Sequence, residues 1–322
     1  MEHKYVIGID LGGTKISGAV ANLNGDIISQ YTLPTKAEEG EKKVLQHIID
    51  IVEKVIEKSN VDNFISIGIG SPGPLDTKEG VIITTPNLPF KNFNIVKPLV
   101  EKFNIPAYLD NDANVAAIGE YTFGAGKGTN NMVFITVSTG IGGGAILNGR
   151  IYRGSTCNAL EIGHMTLEKD GQRCNCGNYG CAEALASGTA IAKLASEQVR
   201  KGEKTSLCSY EKVTAYEVFK EAEKGDIVAK SVLNEALNYL GICVANIITS
   251  FDPEMIIIGG GVSKGGKIVF ERINKVVKER CFKHMSENTK IVLAALGNDA
   301  GVKGAIALAI MESKFWWIYY KN

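Results

Sequence analysis

The sequence predicts an α/β protein built from two domains of related topology. Strands alternate with helices and end in glycine-rich turns, and one strand–turn–strand segment occurs twice. The two copies are "VIGIDLGGTKISGAV" near the N-terminus and "VFITVSTGIGGGAIL" near the middle of the chain. A length of 322 residues favours two domains, each large enough to bury a core. In such folds, ligands bind at the tips of the strands.

The elements of the first half follow in a regular order. "YVIGID" is an apolar β-branched strand, "LGGTK" is a turn, and "NGD" predicts a hairpin between the next two strands. Residues 40–60 predict an amphipathic helix, because apolar side chains recur on one helical face. These side chains are Val44, Ile48, Ile51, Val52 and Val55. "FISIGIG" and "PAYLD" predict buried strands, and "ANVAAIGEYTFG" predicts the next helix.

The second half repeats this alternation. After the hairpin come the long helical stretch "SVLNEALNYLGICVANIITSF", the strand "EMIIIGGGVS", another helix, the strand "KIVLAAL" and the helix "GVKGAIALAIMESK". The aromatic tail "FWWIYY" predicts a docking or dimer contact beyond that last core helix.

Charge and hydropathy exclude several classes of partner. The 35 basic and 35 acidic residues balance, which disfavours binding to nucleic acid or to an anionic membrane. No uninterrupted apolar run reaches the roughly 18 residues that span a bilayer. The N-terminus lacks an apolar signal core, so the sequence predicts a cytoplasmic protein without a membrane partner.

The glycine-rich turns are candidates for phosphate binding, since glycine lets backbone N–H groups approach an anion closely. Tight turns also use glycine for steric reasons alone, so the polar residues among the glycines carry the prediction. Asp10, at the tip of the first strand, would repel phosphate unless Mg²⁺ stood between them; a turn-capping role is the alternative. The other candidates are Gly12, Gly13, Thr14, Lys15, Ser138, Thr139, Gly140, Gly142, Gly259, Gly260 and Gly261.

One segment has the spacing of another phosphate motif. "GVSKGGKI", residues 261–268, matches a P-loop as far as Lys267 but places Ile268 where Ser or Thr should hold Mg²⁺. We interpret this segment as a glycine-rich turn near a nucleoside.

The stretch "HMTLEKDGQRCNCGNYGC" contains a possible metal site. Its four ligands, His164, Cys174, Cys176 and Cys181, form a complete tetrahedral set for Zn²⁺. Four protein ligands leave no open coordination position, so the zinc would be structural. A thiol cluster without metal is the alternative. An odd total of seven cysteines and a reducing compartment argue against disulfides.

Several motifs together resemble the ROK family of bacterial sugar kinases and sugar-responsive repressors, in the actin-like ATPase superfamily. They are "IGIDLGGTK", "GSPGPLD", "TPNLPF", "LDNDANVAAIGE", "VSTGIGGG", "EIGHM", "CNCGNYGCAE", "IIIGGGVS" and "LGNDAGVKGA". They appear in the family's order from residue 6 to about residue 310, and within the family the sequence is most similar to glucokinases.

The resemblance implies two actin-like (ribonuclease H-like) ATPase domains with an interdomain cleft. A small N-terminal domain would comprise residues 1–111 plus a C-terminal helix at about 302–322. A larger domain, residues 112–301, would carry the zinc-binding loop 161–183. The implied activity is ATP-dependent phosphorylation of a hexose at its 6-hydroxyl, glucose above all, in a homodimer or homotetramer. The alternatives are kinases of N-acetylglucosamine, N-acetylmannosamine or fructose, and a non-catalytic sugar-sensing regulator.

The resemblance also assigns roles to residues. Asp112 would be the catalytic base and Asn111 would orient the sugar, although Asp112 could otherwise be an ordinary helix N-cap. The base takes its proton late in phosphoryl transfer, so an ordinary aspartate pKa would suffice. The further hexose contacts would be Asn87, Glu161, His164 and Glu183. The two glycine hairpins would bind the phosphates of ATP, and Gly259 to Gly261 the adenosine.

Two features separate this sequence from parts of the family. Members usually carry Ala-Gly-Glu before the Gly-His pair, whereas this chain has "GSTCNALEIGH", with Leu160 in place of the glycine. A positive φ there would strain Leu160. Because this loop helps to form the wall of the sugar site, the identity of the hexose stays open. The family's repressors carry an N-terminal DNA-binding domain. The first strand begins within six residues of the start, which favours a kinase over a repressor.

Overall fold

A computed structural model describes residues 4–85 and 87–319, with side chains as far as residue 313. The strands are β1 (Tyr5–Leu11), β2 (Lys15–Asn22), β3 (Ile27–Pro34), β4 (Phe64–Ser71), β5 (Leu75–Asp76), β6 (Val81–Thr84), β7 (Lys91–Asn94), β8 (Ala107–Asn111), β9 (Met132–Val137), β10 (Ile141–Leu147), β11 (Arg150–Ile151), β12 (Met255–Gly259) and β13 (Lys290–Leu293). The helices are α1 (Glu41–Ser59), α2 (Val96–Phe103), α3 (Asp112–Phe123), α4 (Ala182–Ala186), α5 (Gly188–Arg200), α6 (Ala215–Glu223), α7 (Ile227–Phe251), α8 (Lys267–Arg280), α9 (Lys283–Asn288) and α10 (Ala300–Tyr319).

Two five-stranded sheets share one topology. The first has the order β3-β2-β1-β4-β8 and the second β11-β10-β9-β12-β13. In each sheet the central strand pairs antiparallel with the next strand of its hairpin and parallel with a strand that follows a helix. The internal repeat predicted from the glycine hairpins is therefore confirmed. A small sheet of order β5-β6-β7 is inserted between β4 and β8.

Two helices cross from one sheet to the other. Helix α3 follows β8 of the first sheet but packs on β9 and β10 of the second. Helix α10 follows β13 of the second sheet but packs on β1 and β4 of the first, and it also packs against α3. The predicted return of the final helix to the N-terminal part is confirmed, while a domain boundary at residue 111 stays a prediction.

Glycine in β4 makes the close approach of α10 possible. A Cβ atom at Gly68 would lie 2.1 Å from the carbonyl oxygen of Ala305, well inside van der Waals contact. The sequence "ISIGIG" therefore serves helix packing as well as strand formation, because a side chain at this position would push the helix off the sheet.

The predicted cores are present. The five apolar side chains that share one face of α1 are all buried against the first sheet. Among the described residues, one helix, α7, is long and apolar enough to cross a membrane. However, 61% of its most apolar window is buried, and it packs between α6 and α8 as a core helix. The aromatic tail from Phe315 onward lies outside the described side chains, so its predicted contact is not tested.

Candidate active site

The first glycine turn joins β1 to β2 and is closed by hydrogen bonds. The N–H of Gly12 donates to the carbonyl of Lys15 over 3.0 Å. The buried hydroxyl of Thr35 donates to the carbonyl of Gly12 over 2.6 Å, and the Thr35 N–H donates to the carbonyl of Thr14 over 2.9 Å. Thr14 and Lys15 are left exposed. Sequence reasoning missed Thr35, because its link to the turn is a matter of tertiary contact.

Asn87 lies against this turn. A Cβ atom on Gly13 would sit 3.0 Å from the Cβ of Asn87, which places the side chain predicted to contact sugar directly beside the predicted phosphate turn.

Asp10 stands at the end of β1, facing the beginning of α10. A Cβ atom on Gly301 would lie 2.4 Å from the Asp10 carboxylate carbon, so only glycine fits there without displacing the carboxylate. Burial raises the pKa of Asp10 above its ordinary value, with Lys15 acting in the opposite direction. A partly desolvated carboxylate at a strand tip has the chemistry of a ligand for a hard divalent cation.

The second glycine turn joins β9 to β10 and meets the third one. The Ser138 N–H donates to the carbonyl of Gly140 over 2.8 Å, and the Ser138 carbonyl accepts from Gly188 over 2.7 Å. The Ser138 hydroxyl lies 3.9 Å from where a Cβ of Gly261 would be. Thr139 is exposed beside it. The predicted phosphate and adenosine turns are therefore neighbours.

The glycine segment at the end of β12 is shaped for close contact. Gly259 is the last residue of the strand. Gly260 has φ of 86°, and a Cβ atom on it would lie only 2.4 Å from the carbonyl oxygen of Val137. Lys267, the residue at the P-loop lysine position, is exposed and pairs with Glu271 over 3.5 Å. This geometry agrees with the interpretation that residues 261–268 are not a P-loop.

Asp112 is the first residue of α3, but the helix N-cap is Asn111. The Asn111 side-chain oxygen accepts the Ala113 N–H over 2.9 Å, and Asp112 Oδ1 accepts the same N–H over 2.8 Å. Helix α3 starts beside β10, since a Cβ on Gly142 would lie 3.4 Å from the Cβ of Ala113. The interpretation of Asp112 as the N-cap is therefore wrong.

The pKa of Asp112 is raised to about 6. Loss of hydration between the walls of the cleft is the largest cause, although the side chain remains open to solvent along the cleft. The Ala113 N–H opposes this shift, and the carboxylates of Asp10 and Glu161 add to it. An ordinary pKa would suffice for the expected late proton transfer, and the upward shift was not foreseen, because sequence position alone does not show how many carboxylates share one cleft.

An ion-pair network around the buried Asp110 lies close to Asp112. Asp110 is fully buried, and its carboxylate accepts the Asn111 N–H over 2.8 Å and the Asn114 side-chain amide over 2.9 Å. Arg153 Nε donates to Asp110 over 2.7 Å, while its Nη2 donates to Glu312 of α10 over 2.7 Å. These bonds fix the end of β8 and the start of α3. Sequence reasoning did not identify this network.

The four predicted metal ligands come together. Their ligand atoms all lie within 4.8 Å of one another. His164 Nδ1 is 3.7 Å from Cys174 Sγ, and Cys176 Sγ is 3.7 Å from Cys181 Sγ. Zn–S bonds of about 2.3 Å in a tetrahedron place sulfurs roughly 3.8 Å apart. The donor set and spacing therefore fit Zn²⁺, and the four cysteines elsewhere in the described chain are free thiols.

The loop that carries the cysteines depends on glycine. Gly180 has φ of 66°, and a Cβ there would overlap the carbonyl of Glu168, at 1.6 Å. Its carbonyl accepts the N–H of Leu167 over 2.8 Å, which pairs the two ends of the loop beside Cys181. No other residue type fits position 180.

Ile141, the first residue of β10, contacts both segments that carry the predicted sugar-binding glutamates. Its N–H donates to Glu183 Oε2 over 3.0 Å. Its carbonyl lies 2.1 Å from where a Cβ of Gly163 would be, so the Glu161–His164 turn packs on the same residue. The two segments therefore meet at Ile141, and the binding of sugar by Glu161 and Glu183 stays a prediction.

The loop before Glu161 adopts the backbone that the sequence predicts to be strained. Leu160 has φ of 67° and Cys157 has φ of 61°, both in the left-handed region that disfavours side chains with a Cβ.

Comparison with known proteins gives the family. The ROK family model matches residues 6–312. The chain belongs to the ROK family. It is 38% identical over 312 residues to a glucokinase of Halalkalibacterium halodurans, covering 94% of each chain. It is 33% identical to a xylose repressor of Caldicellulosiruptor bescii, covering 95% of this chain and 78% of the repressor.

A solved ROK structure supports the same assignment. The chain matches a glucokinase from Streptomyces griseus in complex with glucose and AMPPNP, with a TM-score of 0.79 and 31% identity. The match covers 95% of this chain and 99% of that one. The fold is therefore that of two actin-like ATPase domains separated by a cleft.

Proposed function

We propose that this chain is an ATP-dependent hexose kinase that converts glucose to glucose 6-phosphate. The observation that carries the proposal is that Asp112 lies within electrostatic reach of two other carboxylates. Asp10 lies near the end of β1, just before the first glycine turn, Glu161 lies on the turn that leads to His164, and both raise the pKa of Asp112. Asp112 would thus be a base that serves both phosphate at the glycine turns and sugar at the glutamates.

The chemistry assigned to Asp112 is proton transfer from the sugar. With a pKa of about 6, its carboxylate is ionised at pH 7 and is a stronger base than an ordinary aspartate. It would align the 6-hydroxyl with the terminal phosphate and accept its proton late, as the phosphoryl group passes to the oxygen. The Asp110 network would hold Asp112 in this position.

The phosphates of ATP would lie on the two glycine turns, whose backbone N–H groups suit anionic oxygens. Asp10 would hold Mg²⁺, which neutralises charge on the transferred phosphate. Ser138 and Thr139 would donate to phosphate oxygens from the second turn, and Gly259 to Gly261 would contact the adenosine.

The hexose would bind on the opposite side of Asp112. The carboxylates of Glu161 and Glu183 would accept bonds from its hydroxyls, with Asn87 and Asn111 as further contacts. His164 would ligate Zn²⁺ through one ring nitrogen and face the sugar with the other. The zinc would be structural, holding the two glutamate segments in place.

A sugar-sensing regulator is the second candidate, because a xylose repressor is among the relatives. Such a regulator requires the sugar contacts. It does not require a general base such as Asp112 near a proposed cation ligand such as Asp10. Asp112 together with Asp10 therefore favours the kinase. A cytoplasmic location stays a prediction from the sequence, and a homodimer or homotetramer stays a prediction from the family.

A coupled assay of ADP release tests the proposal. The purified protein is given Mg-ATP with glucose, N-acetylglucosamine, N-acetylmannosamine or fructose, and Asp112→Asn is the control. Turnover on glucose that collapses in the variant supports a glucokinase. Turnover on another sugar keeps the mechanism and changes the substrate. Sugar binding without turnover on any of the four contradicts the kinase and favours the regulator.

A further inference from the structure

The segment from Arg153 to Glu161, named here the crossing loop, is held by elements of the first domain. In chain order it follows β11 of the second sheet. Yet Arg153 bonds to Asp110 and Glu312, which lie on β8 and α10. A second attachment, at Asn158, lies three residues before Glu161.

Asn158 is bonded in both directions to the backbone of Leu75. Its side-chain oxygen accepts the Leu75 N–H over 3.1 Å, and its side-chain nitrogen donates to the Leu75 carbonyl over 3.3 Å. A primary amide carries one acceptor and one donor group side by side, so it can pair with a strand as a peptide unit does. Leu75 lies on β5, the edge strand of the small sheet, where such pairing positions are open.

The other end of the crossing loop belongs to the second domain. The carbonyl of Leu160 and the side chain of Ile162 pack against Gly143 of β10. Ile162 is buried in the second core, and His164 joins the cysteine cluster two residues later. The chain therefore passes from one domain to the other between Asn158 and Leu160.

Glu161 follows this passage immediately, and it is close enough to Asp112 to raise the pKa of that carboxyl. Cys157 and Leu160, the two residues with left-handed backbone, lie on either side of the passage. Left-handed φ at residues with a Cβ persists only where surrounding contacts hold it. The contacts that lie between them are the Asn158–Leu75 pairing, which reaches the small sheet, and the bond of 3.0 Å from the Ala159 N–H to the Arg153 carbonyl within the loop.

We propose that Asn158 is a positioning residue for the sugar site, acting across the cleft through the backbone of Leu75. It fastens the crossing loop to the small sheet and thereby sets the position of Glu161 at the proposed hexose site. The inference rests on the proposed kinase function. It also explains how the loop does without the glycine before Glu161. The hydrogen bonds of the Asn158 amide hold a left-handed backbone that glycine would adopt without strain.

Asn158→Ala tests the proposal, because it removes both bonds to Leu75, together with the bond of 2.5 Å from the Asn158 side-chain nitrogen to the Thr156 carbonyl within the crossing loop. Loss of the two neutral hydrogen bonds to Leu75 predicts a rise in the KM for glucose of about tenfold. The KM for ATP is expected to stay within about twofold, and the melting temperature is expected to fall by about 5 °C or less, because Asn158 is only half-buried. Asn158→Asp keeps the acceptor but turns a carboxylate toward the Leu75 carbonyl, so it is expected to raise the glucose KM at least as much. Asn246→Ala, at an exposed position on α7, is the matched control with wild-type kinetics.

The outcomes separate this proposal from the function on which it rests. Absence of turnover by the wild-type protein on every sugar contradicts the kinase. Wild-type turnover with an unchanged glucose KM in Asn158→Ala contradicts the positioning role. A parallel rise in both KM values also contradicts it, because a merely structural residue affects the binding of both substrates alike.

Discussion

The Glu183 carboxylate accepts the N–H of Ile141 over 3.0 Å, so a side chain of the cysteine loop is bonded to the second glycine turn. One hydrogen bond thus joins a proposed sugar-binding side chain to a proposed phosphate-binding turn. Movement of either one changes the geometry of the other.

Two substitutions at Glu183 separate these roles. Glu183→Gln keeps an oxygen for the Ile141 N–H but loses the charge, and we expect a rise of about tenfold in the sugar KM with little change for ATP. Glu183→Ala also leaves that N–H without its acceptor, so the KM for ATP should rise as well. Steady-state kinetics with each substrate varied in turn measures both. Equal KM values for ATP in the two variants would show that the hydrogen bond between Glu183 and Ile141 does not affect ATP binding at the turn.

The raised pKa of Asp112 predicts an acid limb in the pH profile. Only the ionised carboxylate accepts a proton, so kcat/KM should fall about tenfold per pH unit below about pH 6. With the ordinary pKa of 3.8, activity would persist to about pH 4. The Asp112→Asn variant should lose about 10²- to 10⁴-fold in kcat and show no such limb. An acid limb that remains in this variant would assign the titration to another group.

Metal analysis of the purified protein should find about one zinc per chain. Cys176→Ser should lose this zinc and, because metal binding contributes folding free energy, melt about 5 °C or more below the wild type. Cys208→Ser, at an exposed cysteine outside the cluster, is the matched control and should keep both zinc and stability. Full sugar affinity after loss of zinc would argue against a role for the metal in placing the two glutamates.

Gly301→Ala should disturb Asp10. The new methyl group would overlap the Asp10 carboxylate, at 2.4 Å from its carbon, and a displacement of about 1 Å in a catalytic group costs roughly 100-fold in rate. We expect kcat/KM to fall by about this factor and the Mg²⁺ concentration for half-maximal rate to rise. A normal Mg²⁺ dependence together with low activity would place the damage elsewhere in α10.

Leu160→Gly and Leu160→Ala form a matched pair. Both remove the branched end of the leucine side chain, but only glycine also removes the Cβ atom and so relieves the left-handed backbone at φ of 67°. The glycine variant should therefore be more stable than the alanine variant by about 0.5–1 kcal/mol, after allowance for the greater freedom of glycine in the unfolded chain. Chemical denaturation measures the difference. Equal stabilities would mean that the loop relaxes in the alanine variant.

The parts of the site that sequence reasoning predicted are local along the chain. The cluster of Cys174, Cys176 and Cys181 spans eight residues, and Asn111 and Asp112 are adjacent. The repeated glycine hairpin predicted two sheets of related topology in the same way. Spacing alone is informative in these cases because one turn or one helix start fixes the relative geometry.

The parts that were missed join distant positions. Arg153 meets Asp110 and Glu312 at separations of 43 and 159 residues, and Asn158 meets Leu75 at 83. Nothing in the neighbourhood of either partner marks such a pair, since an Arg or an Asn on a loop is ordinarily solvated. The pKa of Asp112 belongs to the same class, because it depends on Asp10 and Glu161 from other elements.

The exchange of α3 and α10 between the sheets makes the two halves of the chain interdependent. A fragment that ends at residue 111 would contain the whole first sheet but expose the face of β1 and β4 that α10 covers. The remaining fragment would carry α10 with no sheet beneath it. We therefore expect neither half to be soluble when it is produced alone. Co-expression of the two could rebuild the protein, as an enzyme assembled from two separate polypeptides.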